Sequence, residues 1–116
     1  MNKNFTQAAD DVVAGLALIR EAAPSAMKGF SGLAVAATAT ATLDTKTKEL
    51  MSLAISIAVR CAGCVAYDTR AAAKEGAERR EVAETVALAV YMGGGPAAVY
   101  GADALRAFDV YAESSK

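Results

Sequence analysis

Cys61 and Cys64 are the only cysteines in the chain, and two residues, Ala62 and Gly63, separate them. Arg60 precedes the pair and Asp68 follows it by one helical turn. Cysteine reacts as its thiolate, and two intervening residues let both sulfurs meet, so oxidation can close a disulfide that exchange reopens. At a helix start, the unpaired N–H groups and the positive end of the dipole favour the anion, and a neighbouring arginine adds to that field. The competing reading is two ordinary buried cysteines that happen to lie close in sequence. In a reducing compartment a pair at this spacing points to redox chemistry rather than to a structural staple.

The elements that must hold the pair read as helices throughout, with no alternation of period two. Thr6 to Glu21 is amphipathic, with Asn4 or Thr6 as N-cap, and Pro24 fits the first turn of a second helix weakened by Gly29 and Gly32. Leu33 to Thr42 is almost entirely small residues and predicts a closely packed helix end. Asp44 caps a third helix whose first turn holds Lys46, Lys48 and Glu49. From Leu50 to Val59 this helix is apolar on nearly every face apart from its serines, which predicts a central element buried all round. A fourth helix begins near Cys61 and ends at Gly76, a good residue for the position after a helix. A fifth spans Glu78 to Met92, with Val82, Val86, Leu88, Val90 and Met92 as its core face. Gly93, Gly94, Gly95 and Pro96 make a corner, and a sixth helix carries Val99, Tyr100, Leu105, Phe108 and Tyr111 before a fraying tail from Glu113. The expected fold class is therefore all-α, with about six helices in one domain spanning 1–116.

Composition narrows the function. The formal charge of −1 gives no electrostatic case for nucleic acid. The absence of histidine removes the commonest neutral-pH base and the commonest metal ligand, and two cysteines alone do not close a zinc site. Neither a metal nor a cofactor is expected. The longest apolar run falls short of the ~20 residues a membrane helix needs, and the polar N-terminus has no signal core, so a cytoplasmic protein without membrane partners is expected. With 54% apolar residues in a chain of 116, part of the surface should be covered by a partner.

A turn near residue 60 would lay the fourth helix antiparallel on the third. Glu49 would then lie opposite residue 69 or 70, and Asp68 is one turn beyond Cys64 on the same face. Glu49, Asp68 and Cys64 would form a chain of proton-exchanging groups. A straight rod would instead part Glu49 from Cys61 by ~18 Å. Tyr67 is a candidate donor near this site, and Arg70 a candidate counter-charge for the two carboxyls.

These residues, with Leu43 to Leu50, the Gly76-Ala77 pair before Glu81, and Met92 to Pro96, resemble the alkyl hydroperoxidase D-like / carboxymuconolactone decarboxylase family over about residues 24–112. The resemblance implies a helical fold assembled as a trimer or hexamer. It also implies thiol-disulfide chemistry on a hydroperoxide or disulfide substrate, with a dihydrolipoyl protein or a peroxiredoxin as partner. By the same resemblance Cys64 attacks, Cys61 resolves, and Glu49 relays protons with a histidine. That histidine falls at position 68, where this chain has Asp68. An ionised aspartate is a weak base and repels a thiolate, but two carboxyls that share a proton can still shuttle it. Three functions are thus expected in descending order: a peroxidase or disulfide reductase, a non-enzymatic redox sensor or scaffold, and a lactone decarboxylase. The last depends on histidine.

Overall fold

In a computed structural model the chain is described over residues 3–114, and these form six helices: α1 (Phe5–Ala22), α2 (Pro24–Thr38), α3 (Thr45–Ala58), α4 (Ala62–Lys74), α5 (Arg79–Gly93) and α6 (Gly95–Ser114). The caps explain most of the boundaries. The side chain of Asn4 accepts the Gln7 N–H at 2.9 Å, and that of Asp44 accepts the Thr47 N–H at 2.8 Å. At the start of α5 the Glu78 N–H donates to Glu81 Oε1 at 2.8 Å, closing one half of a capping box.

Two helical hairpins make the body. The first joins α3 to α4 through Val59, Arg60 and Cys61, and the second joins α5 to α6 through Gly94. They pack on each other through α3 against α5 and α4 against α6. α1 lies along α4, while α2 touches only α1 and the edge of α3. Leu53 and Ile57 of α3, Val65 and Ala72 of α4, Val82 and Ala89 of α5, and Ala104 and Phe108 of α6 meet in the core. Small residues permit this closeness: a methyl placed on Gly101 would come within 2.6 Å of Val86 Cγ1, so α5 and α6 could not keep their spacing.

The turn between α3 and α4 orients everything that follows. The Arg60 N–H donates to Ile57 O at 3.2 Å and the Cys61 N–H to Ser56 O at 3.1 Å, the two bonds of a Schellman cap. α4 ends the same way, with Gly76 donating to Ala73 O and Ala77 to Ala72 O, both at 3.0 Å. The residue after each helix is left-handed: Gly76 has φ 87° and Arg60 has φ 62°. Glycine takes that conformation freely, whereas a side chain there costs ~1–2 kcal/mol. Arg60→Gly should therefore stabilise the fold by about 0.5–1 kcal/mol after the greater flexibility of unfolded glycine is subtracted. Arg60→Ala, which keeps the strain, should be near neutral. Thermal melts of both variants read the difference.

Three expectations about burial are corrected. α3 is central but not apolar-in on all sides: Met51, Ile55 and Val59 form an exposed stripe four residues apart. On α5, Val82 is buried and Val86 and Val90 pack against the core, yet Leu88 and Met92 face outward. The Ala/Thr end of α2 is not closely packed, since Leu33 and Val35 are 65% and 71% exposed. The cause is common to all three. Each helix has only so many neighbours within one chain, and apolar residues beyond that face have nothing of their own chain to cover them. Val99 of α6 is likewise exposed, and α6 stays helical through Ser114 rather than fraying from Glu113, the last two residues lying outside the described range. No helix among the described residues is long and apolar enough to cross a membrane.

Candidate redox site at the start of helix four

Cys61 is the N-cap of α4 and Cys64 lies in its first turn. They are joined as a disulfide across a Cα–Cα separation of 5.2 Å. The Cys61 sulfur also accepts the Cys64 backbone N–H at 3.3 Å, the place where a serine or aspartate oxygen would sit at an ordinary cap. In the reduced protein that N–H and the helix dipole would favour a Cys61 thiolate. Gly63 between them lies close to α1: a methyl there would stand 3.0 Å from Val12 Cγ2, and that side chain would have to give way. Both sulfur-bearing residues are half-buried, so the site is reachable from solvent while being backed by protein.

Asp68 is held one turn further along α4, on the face i+4 from Cys64. It is half-buried and hydrogen-bonds with the Ser56 hydroxyl of α3. Burial pushes its carboxyl above the usual aspartate range, and the Ser56 hydroxyl pulls it partly back. Glu49, in the first turns of α3, is raised as well, first by burial, then by the charge of Asp68 and that of Glu75 at the end of α4. The hairpin leaves Asp68 one turn from Cys64 and within charge range of Glu49, in a register different from the expected one. Ser56 is the residue opposite Asp68, and Glu49 lies about two turns away from Ser56, toward Glu75. The Schellman turn and the late start of α4 at Ala62 cause that slip. Among the described residues Glu49 and Asp68 share no hydrogen bond and are coupled by charge alone.

Arg70 does not neutralise the carboxyls. It points to α1 and pairs with Asp10 at 2.7 Å. Tyr67 is 38% exposed at the rim. Ser56 was missed by sequence reasoning, although a signal existed: it is one of two serines, four residues apart, within an otherwise apolar run. Among the described residues no cluster of three or more His, Cys, Asp or Glu side chains could hold a metal ion.

The raised carboxyls have a measurable consequence. A native state that holds the Asp68 proton more tightly than the unfolded chain gains stability from it below the ordinary value of 3.8, and loses that gain as pH rises through the folded pKa. Asp68→Asn, which cannot ionise and can still accept from Ser56, should therefore melt above the wild type at pH 7–8. The gap should close as pH falls toward 4. Thermal melts across pH check it.

The carboxymuconolactone decarboxylase family profile matches residues 24–107, which include both cysteines and both carboxyls. The chain belongs to the carboxymuconolactone decarboxylase family. Within that family, the crystal structure of an apo-form member from Legionella pneumophila superimposes with a TM-score of 0.88 at 44% identity, covering 92% of this chain and 96% of that one. A Thermotoga maritima family member with a suggested part in the antioxidative response superimposes with a TM-score of 0.83 at 27% identity, covering 92% of each chain. An uncharacterized protein of Cupriavidus necator is 39% identical over 89 residues, 77% of this chain and 79% of its own length. This chain has the six-helix fold of that family and, within it, the Cys61–Cys64 pair at disulfide distance.

Proposed function

We propose that this family member is a thiol-disulfide oxidoreductase that reduces hydroperoxides, with Cys61 and Cys64 as its redox pair. The observation that supports it is a disulfide closed at the N-terminus of α4, one turn ahead of a half-buried carboxyl whose pKa is raised. The suggested antioxidative part of the Thermotoga relative agrees with it.

In the reduced state the Cys64 thiol passes its proton to Asp68, and the thiolate attacks the terminal oxygen of the hydroperoxide. The O–O bond breaks, Asp68 gives its proton to the departing alkoxide so that it leaves as the alcohol, and Cys64 becomes a sulfenic acid. The Cys61 thiolate, held by the Cys64 N–H, then attacks that sulfur and forms the disulfide, and the expelled hydroxide takes a proton from solvent to leave as water. A dithiol donor, taken as a dihydrolipoyl group directly or a peroxiredoxin partner in series, supplies the two electrons that reopen it. Glu49, coupled to Asp68 by charge, sets how tightly Asp68 holds that proton.

Assembly belongs to the same proposal. The exposed stripes Met51, Ile55 and Val59 on α3, and Leu88, Tyr91 and Met92 on α5, lie on helices packed against each other. Copies of this chain in a trimer or hexamer would cover such a surface.

The test is hydroperoxide consumption by the wild type with dihydrolipoamide as donor. Turnover well above the protein-free rate is expected. A disulfide that opens and closes without turnover would overturn the peroxidase and leave a redox sensor, whose association state would then follow its oxidation.

A further inference from the structure

The Ser56 hydroxyl has one hydrogen and two oxygen partners, Ser52 O at 2.9 Å and Asp68 Oδ2. Both contacts are satisfied at once only when Asp68 carries a proton and donates to Ser56 Oγ, which in turn donates to Ser52 O. When Asp68 ionises, the hydroxyl can turn and donate to the carboxylate instead. Ser52 O loses nothing essential, because within α3 it also faces the backbone N–H four residues on. Ser56 is 5% exposed, so water cannot readily stand in for it. On the side that faces Ser56, a carboxyl with no such partner would strand a donor in one charge state and an acceptor in the other.

We propose that Ser56 is a positioning residue of this site, a two-way hydroxyl that lets a proton enter and leave Asp68 beside Cys64. The proposal rests on the thiol-disulfide reading for its purpose, though its geometry stands without it. Among the described residues no other side chain hydrogen-bonds Asp68. The charged groups on the packed elements are otherwise engaged or distant in effect: Arg70 is bonded to Asp10 of α1, Lys46 of α3 to Glu81, and Asp103 of α6 to Lys3 and Arg106. Glu49, with Glu75 beside it, acts on the pair through charge. The proton path is balanced: the Cys64 S–H bond breaks, an Asp68 O–H bond forms, and the Ser56 hydroxyl swings from Asp68 to Ser52.

Removing the hydroxyl costs the ionised form more than the neutral one, because a hydrogen bond to a charge is the stronger of the two. Ser56→Ala should therefore move the Asp68 titration to higher pH, read directly by carbon NMR of its side-chain carboxyl in the full-length oxidised protein. Where peroxide turnover is present, its rising limb should move to higher pH with it, and the rate below that limb should fall on the order of tenfold. Ser56→Thr, which keeps the hydroxyl, should restore both. In an Asp68→Asn background, Ser56→Ala should leave the pH limb where it was. An unchanged Asp68 titration in Ser56→Ala overturns the proposal, as does an equal rate loss with and without Asp68. The NMR titration needs no turnover, so a failure of the peroxidase reading and a failure of this one give different results.

Discussion

Cys64→Ser should abolish hydroperoxide consumption, while Cys61→Ser should retain a single stoichiometric burst and no turnover. The asymmetry follows from what each sulfur has beside it. Cys64 is one turn from Asp68, which can take its proton. Cys61 caps α4 and accepts the Cys64 N–H, so its thiolate is stabilised without a base and suits the resolving step or the leaving group. Without Cys64 nothing attacks the peroxide, and the loss is to the background rate. Without Cys61 the sulfenic acid formed on Cys64 has no thiol to condense with, so it accumulates. Trapping with a sulfenic-acid probe, followed by peptide mapping, reads both results. A trapped sulfenic acid on Cys61 in the Cys64→Ser variant, with none on Cys64 in Cys61→Ser, would reverse the order and make the cap cysteine the nucleophile. The thioredoxin-type arrangement, with the first cysteine nearest the helix tip, is the rival that this experiment separates.

Much of this site was legible because local rules agree with the fold. Asp44 before a charged turn, Pro24 at a helix start, Gly76 after an alanine-rich run and the glycines before Pro96 each mark a boundary that the structure keeps. The spacing of Cys61 and Cys64 permits a disulfide, and the fold closes it at the start of α4. What sequence could not supply is the register between α3 and α4, because this depends on how the turn closes. Arg60 in a left-handed conformation is not a residue one would choose for a Schellman cap, and the cap sets which residue meets Asp68. A shift of a few residues put Ser56 there and carried Glu49 further off. The burial of apolar faces was misread for a different reason. Periodicity tells which residues prefer to leave water, and it does not tell whether their cover comes from the same chain. Met51, Ile55 and Val59 obey the pattern of a buried helix and still face out of a single copy.

The carboxyl at position 68 divides the two chemical outcomes, and Asp68→His should raise kcat/KM for hydroperoxide by roughly 10–100-fold. A neutral imidazole accepts a thiol proton near pH 7, whereas an ionised carboxylate beside the sulfur also repels the thiolate it helps to form. The substitution removes that repulsion and supplies a better-matched base in one step. It also removes one of the two charges that hold Glu49 above its usual range, so Glu49 should ionise more readily and favour the imidazolium through its charge. Ser56 can serve the ring as it serves the carboxyl, donating to or accepting from a ring nitrogen. The Cys64 thiol pKa of the reduced protein, followed by thiolate absorbance, should fall in the variant, and a limb near pH 6–7 should appear in the rate profile. A wild-type thiol above the ordinary ~8.5 would mark Cys64 as unactivated. A lowered thiol pKa with no gain in rate would mean that disulfide reduction limits turnover rather than attack on the peroxide. An unmoved thiol pKa would break the link between position 68 and Cys64, and with it the proton path from Cys64 through position 68 to Ser56.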